Sequence, residues 1–186
     1  VLHFVDRSAY RLKEEASFLE NLVEKFGAFY LIPEGGTNAL AIKGTSEILE
    51  LGDNSYSHIA TCIGTGGTFA GLIKTLVERQ QLLGFSALKG DFIHEGIKEL
   101  LKNHQIRSKN DFRIFDQFHF GGYGKYNQAL IDFIWWFFER FGIVLDPIYT
   151  SKMMAGIWKL ITQGFFPSGS KILAIHSGGL QGNFGF

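Results

Sequence analysis

The chain has 186 residues, enough for one sizeable hydrophobic core or for one domain and part of another. Its 18 Lys and Arg balance 18 Asp and Glu without a basic cluster, which argues against a general nucleic-acid surface. A single cysteine, Cys62, excludes an intramolecular disulfide and leaves no thiolate metal cluster to expect. The most apolar stretch, 129–144, is broken by Asp132, Glu139 and Arg140 and is too short to cross a bilayer. The start, Val1–Val5, has no basic n-region or cleavage site, so a soluble protein of the reducing cytoplasm is expected. The 19 phenylalanines point to a bulky aromatic core or a subunit interface.

In chain order, Val1–Val5 reads as a strand. It opens without an initiator methionine, as expected of a sequence with residues upstream or of a processed or engineered terminus. A helix over Tyr10–Phe26 sets Leu12, Ala16, Leu19, Leu22 and Val23 on one face. Phe29–Pro33 reads as a strand leading into Gly35-Gly36-Thr37-Asn38, and Asn38–Leu51 as a helix stopped by Gly52-Asp53-Asn54. His58–Gly64 is a continuous apolar strand of the kind covered by helices on both faces.

The pattern continues with a helix over Gly67–Gln81, a strand over Leu82–Leu88, a helix over Asp91–Asn103 and a short strand over Phe112–Phe115. The helix over Tyr126–Phe141 holds a run, Phe133–Phe138, that is apolar nearly all round, so burial on several sides is expected, with a subunit interface as one setting for it. A helix over Ser151–Thr162 and a strand over Lys171–His176 close the chain. Alternation of this kind predicts an α/β fold, a three-layer αβα arrangement around a mostly parallel sheet. Ligands in such sheets bind beyond the carboxyl ends of the strands. The glycine clusters after Pro33, Ile63 and His176 are therefore expected at one edge.

One of those clusters carries chemistry. Gly64-Thr65-Gly66-Gly67-Thr68 joins a strand to a helix. Its glycines let backbone approach an anion, the first helical N–H groups lack internal partners, and Thr65 and Thr68 add hydroxyl donors. The same glycines also suit a tight turn that serves packing alone. The dinucleotide fingerprint needs a glycine where Phe69 stands, and the ATP-type loop needs a Gly-Lys-Ser/Thr that is absent. A small phosphate cup remains.

The run Cys62–Leu72 resembles the phosphate cup of pyridoxal-phosphate enzymes of the tryptophan-synthase-β fold (fold type II). Within them the chain is similar to the 1-aminocyclopropane-1-carboxylate deaminase and D-cysteine desulfhydrase family. Ile32-Pro33-Glu34-Gly35-Gly36-Thr37-Asn38-Ala39 looks like its crossover into the large domain. The segment Leu145–Gly156 is similar to its Asp-Pro-Val-Tyr-x-x-Lys-x-Met-x-Gly signature, and Ile172–Gly179 to its closing His-x-Gly-Gly strand.

The resemblance implies pyridoxal 5′-phosphate as cofactor, held by Gly64, Thr65, Gly66, Gly67, Thr68, Tyr149, Thr150 and Ser177. It implies Tyr149 and Tyr123 as catalytic residues, with Tyr126 a rival for the second. The hydroxyl residues Thr150 and Ser177 stand where the deaminase branch has Glu and Leu, and lean toward desulfhydrase chemistry. A homodimer acting on a small amino acid follows, with no metal, nucleic acid or membrane partner. The competing readings are deaminase activity, or a catalytically silent binder that keeps the fold.

The family's cofactor-anchoring lysine lies in an N-terminal Gly-Asn-Lys-x-Arg-Lys segment that does not occur here. The expectation is an N-terminally incomplete member. Residues 1–36 would then be a remnant of the smaller domain, with 37–186 forming an incomplete large cofactor-binding domain.

Overall fold

The computed structural model describes residues 1–49 and 55–183. It divides into two compact units, Val1–Ile32 and Pro33–Phe186.

In the first unit the expected helix is two helices, α1 (Arg7–Arg11) and α2 (Ala16–Phe26). Asp6 caps α1 by accepting the Ala9 N–H at 2.8 Å. Glu14 and Glu15 favour a fresh N-terminus for α2, because carboxylates are stabilised at the positive end of the dipole. The strands expected over Val1–Val5 and Phe29–Pro33 do not form. Extended backbone becomes a strand only with a neighbour to bond, and neither run pairs with another among the described residues.

The second unit is built on four parallel strands in the order β3-β2-β1-β4. They are β1 (His58–Ile63), β2 (Gln81–Ser86), β3 (Phe112–Phe115) and β4 (Ile172–Ala174). Central β1 pairs Ala60 with Leu83 on one side and with Ala174 on the other. One face carries Ile59, Ile63 and Leu82 against α3 (Ala39–Ser46), α4 (Gly67–Thr75) and α5 (Phe92–Asn103). The other carries Ala60, Leu83, Phe85 and Phe115 against α7 (Thr150–Thr162). Apolar residues thus face helices on both sides, and the three-layer α/β expectation is met.

Several elements stop short of their apolar pattern. Helix α4 ends at Thr75 rather than Gln81, because the Gln80 side chain takes the Val77 N–H at 3.0 Å and Arg79 reverses the chain at φ 73°. Helix α3 starts on Asn38, whose Oδ1 accepts the Ala41 N–H at 2.8 Å, and passes at Ser46 into a 3₁₀ turn over Glu47–Leu49. The predicted stop at Gly52–Asn54 lies outside the described residues.

Within this chain, helix α6 (Gln128–Phe141) is not covered on several sides. Only Leu130 and Phe137 among its described residues are buried, and Trp135 is 59% exposed. Its aromatic residues stack instead on one another and on Trp158, which lies 4.8 Å from Trp136. No described helix is long and apolar enough to cross a membrane.

Candidate functional site

A cleft of about 350 Å³ opens at the carboxyl end of β1. The Gly64–Thr68 loop, the Gly35–Thr37 turn, Tyr149 and the Ser177–Gly179 turn line it. The three glycine clusters therefore do meet at one sheet edge, where the strand order leaves room between connections.

The loop is shaped by its glycines. Gly66 adopts φ 91° and caps α4 without a side-chain hydrogen bond, so the first amides of α4 have no capping oxygen from this residue. The first helical bond runs from Ala70 N to Gly66 O at 2.9 Å. Around this N-terminus, Gly66 and Gly67 are buried, Thr68 is half-buried and Thr65 is exposed. Uncapped amides, hydroxyls and the dipole together fit a phosphate.

Two features of the cup escaped the sequence reading. Thr37 reaches over the loop, its Oγ1 lying 2.6 Å from Thr65 Oγ1, and Gln181 also lines the cleft. Thr37 follows two glycines in the quoted crossover motif, which is a usable signal; Gln181 carries none.

Tyr149 lies directly over the loop. A Cβ on Gly64 would sit 3.2 Å from Tyr149 Cε1, so the ring packs closely against this glycine. Asp146 sets its position. This fully buried carboxylate accepts N–H bonds from Ile148 (2.9 Å) and Tyr149 (2.7 Å) on one oxygen, and from Thr150 N (2.8 Å) on the other. The Asp146–Tyr149 spacing is thus a local turn that presents the tyrosine, a role the motif itself did not reveal.

Thr150 is engaged in that turn. Its hydroxyl donates to Asp146 Oδ2 at 2.5 Å and accepts the Asp146 N–H at 2.9 Å. It is fully buried and does not line the cleft. Ser177 does line it, from the turn after β4, and is exposed to it. Of the two hydroxyls, only Ser177 is therefore presented to a ligand.

Tyr123, 60% exposed, stands outside the lining but meets Tyr149 edge-on with ring centroids 5.9 Å apart. Burial, then the hydrogen bond and charge of Tyr123, raise the Tyr149 pKa well above the ordinary phenol range. The Tyr149 phenol is accordingly protonated at neutral pH. Cys62, beside the cleft, has its thiol pushed up to about 12 by burial first and Asp146 second, so it is no nucleophile. His176 bonds the Val144 carbonyl at 2.9 Å and receives the Gly178 N–H at 3.3 Å, which braces the Ser177 turn. The described residues hold no group of three or more potential metal ligands.

Lys152, one turn into α7, is 1% exposed, and burial lowers its pKa from the ordinary 10.5 to about 8, with Asp146 opposing. Between about pH 8 and 10 the unfolded chain binds this proton more tightly than the folded one. Stability should therefore rise with pH across that window, by on the order of 2 kcal/mol. Above pH 10 the raised Tyr149 works in the opposite sense, because the unfolded phenol ionises first. Urea midpoints from pH 7 to 10 should show the rise, and Lys152→Met should flatten it.

Residues 2–178 match the family model described as pyridoxal-phosphate dependent enzyme. The chain is 31% identical to a Pyrococcus furiosus protein provisionally named 1-aminocyclopropane-1-carboxylate deaminase, over 93% of this chain and 56% of that protein. It is also 31% identical to a Klebsiella pneumoniae D-cysteine desulfhydrase, over 84% of this chain and 52% of that protein. The chain thus spans about half the length of the curated relatives it matches.

Among solved structures, a crystal structure of an ACC deaminase homologue superposes with TM-score 0.80 at 27% identity, covering 98% of this chain and 59% of that one. A cystathionine beta-synthase from Helicobacter pylori, at TM-score 0.57 and 19% identity over 88% of this chain and 56% of that one, shares the fold. With the cup, the tyrosine turn and nearly the whole length accounted for, the chain belongs to the family of pyridoxal-phosphate dependent enzymes.

Proposed function

We propose that the full-length protein is a pyridoxal-phosphate dependent lyase of the D-cysteine desulfhydrase type, cytoplasmic and homodimeric. D-Cysteine and water would give pyruvate, ammonia and hydrogen sulfide. Residues 1–36 are then this chain's share of the smaller domain, and 37–186 its share of the large one.

The carrying observation is the chemistry of the cleft lining, which offers Ser177 and Tyr149 but no Asp or Glu among the described residues. The cofactor, when bound, supplies an electron sink for negative charge developing at the substrate α-carbon. The uncapped α4 amides with Thr65 and Thr68 would hold its phosphate, and Ser177 would hydrogen-bond its ring nitrogen. A neutral hydroxyl biases that nitrogen toward protonation less than a carboxylate does. Expelling a thiol demands less of the sink than opening a cyclopropane ring, so the weaker partner suits elimination.

Tyr149 would hold a proton beside the substrate, with Tyr123 as its hydrogen-bonded neighbour. Because Tyr149 stays protonated, it suits delivery of a proton to a departing or rebuilt carbon or sulfur centre.

Full-length protein with pyridoxal 5′-phosphate should release sulfide from D-cysteine and little ammonia from 1-aminocyclopropane-1-carboxylate. Sulfide from neither D- nor L-cysteine would sink the desulfhydrase reading. Ammonia from the cyclopropane substrate instead would favour the deaminase, a second reading supported by the 0.80 superposition with a deaminase homologue.

A further inference from the structure

Lys152 lies outside the cleft lining, and none of the chemistry assigned above uses it. Its side chain runs buried from α7 to the turn at 119–124, where Nζ donates to the Gly122 carbonyl at 2.7 Å. A methionine would fill a similar volume without the cost of desolvating an ammonium. The bond it makes is the feature that distinguishes the lysine.

The turn is poorly suited to hold itself. Phe120, Gly121, Gly122 and Gly124 have φ of 49°, 104°, 110° and 64°, a run of left-handed backbone that only glycine adopts freely. Its local bonds are short-range: Gly121 N to His119 Nδ1 at 2.9 Å, Gly122 N to His119 O at 3.1 Å and Lys125 N to Gly122 O at 3.1 Å. Lys152 joins this turn to α7, 30 residues away in sequence. The same helix carries Tyr149 at its N-cap, and the turn carries Tyr123. Tyr149 is thus held by the Asp146 turn that leads into α7, and the turn that carries Tyr123 is tied to α7 through Lys152.

We propose that Lys152 is a positioning residue that, through the Gly122 carbonyl, sets the 119–124 turn so that Tyr123 meets Tyr149 and the two phenols act as one proton-handling unit. The kinetic part rests on the proposed role of Tyr149 at the substrate; the structural part does not.

The test uses full-length protein with pyridoxal 5′-phosphate bound. In Lys152→Met, amide exchange over residues 119–125 should accelerate at least tenfold, with α4 unchanged. The value of kcat should fall about tenfold with KM within twofold. In a Tyr123→Phe background the same substitution should cost less than a further twofold, because Lys152 acts through that ring. If Lys152→Met yields no folded protein, Lys152→Gln keeps a donor of shorter reach and should show the same pattern at smaller size.

Unchanged exchange at 119–125, or kinetic losses that multiply in the double variant, would overturn the proposal. Faster exchange in a protein that attacks neither D-cysteine nor 1-aminocyclopropane-1-carboxylate supports the positioning role and counts against the lyase reading.

Discussion

Asp146→Ala is expected to be the most damaging single substitution in the site, lowering stability by about 3–5 kcal/mol. Its carboxylate accepts three backbone N–H groups and the Thr150 hydroxyl, all at the start of α7. Alanine leaves these donors in a region with almost no access to water, since Asp146 and Thr150 are both fully buried. Asp146→Asn keeps an acceptor for Ile148 and Tyr149 but turns an NH₂ group toward the Thr150 N–H, at a cost of about 2 kcal/mol. Urea unfolding should rank wild type, Asn and Ala in that order. The functional loss should exceed the stability loss at temperatures where Asp146→Asn remains folded, because the turn that presents Tyr149 then loses its bond to the Thr150 N–H and with it its tie to the first turn of α7. A hundredfold lower kcat is expected, and an asparagine variant with normal kcat would show that Asp146 does not position the ring.

Gly66→Ala should cost about 2–4 kcal/mol and weaken cofactor binding at least tenfold. Two effects add. At φ 91° an alanine is strained, and its Cβ would lie 2.4 Å from Ile97 Cδ1 and 3.1 Å from Leu100 Cδ2. Ile97 is 1% exposed, so relief requires repacking α5 or tilting the first turn of α4 away from the ligand. Gly36→Ala is the control: it shares a positive φ of 70° but has nothing within 4 Å of the new methyl, so it should lose only the backbone term. Thermal unfolding and titration with pyridoxal 5′-phosphate separate the two contributions. Equal effects at both positions would show that packing against α5 is irrelevant to the cup.

Sequence pattern and structure agree most closely where the governing interactions are local. The run from Ile63 to Phe69 folds as read because glycine freedom and the uncapped start of α4 are properties of adjacent residues. Asn38 caps α3 through the N–H three residues on, as its place at the expected helix start implies, whereas the helix expected from Tyr126 begins at Gln128 because Asn127 caps it. Pattern and structure part where a segment needs a distant partner. Val1–Val5 and Phe29–Pro33 have strand composition, but a strand is completed by a neighbour that composition does not specify. The apolar run of helix α6 does not say what covers it, and within this chain Trp135 stays 59% exposed.

By itself, then, the sequence determined the parallel αβα plan and the glycine loop that joins β1 to α4, since periodicity and glycine placement encode both. Tertiary structure decided the rest. It gave the Thr150 hydroxyl to Asp146 and left Ser177 facing the cleft, laid Thr37 over the loop, and joined Lys152 to Gly122. The Thr150–Asp146 bond is local, but Thr37 with Thr65 and Lys152 with Gly122 pair residues that are far apart in the chain. Their contact follows from how the sheet and its helices assemble, and no local pattern records it.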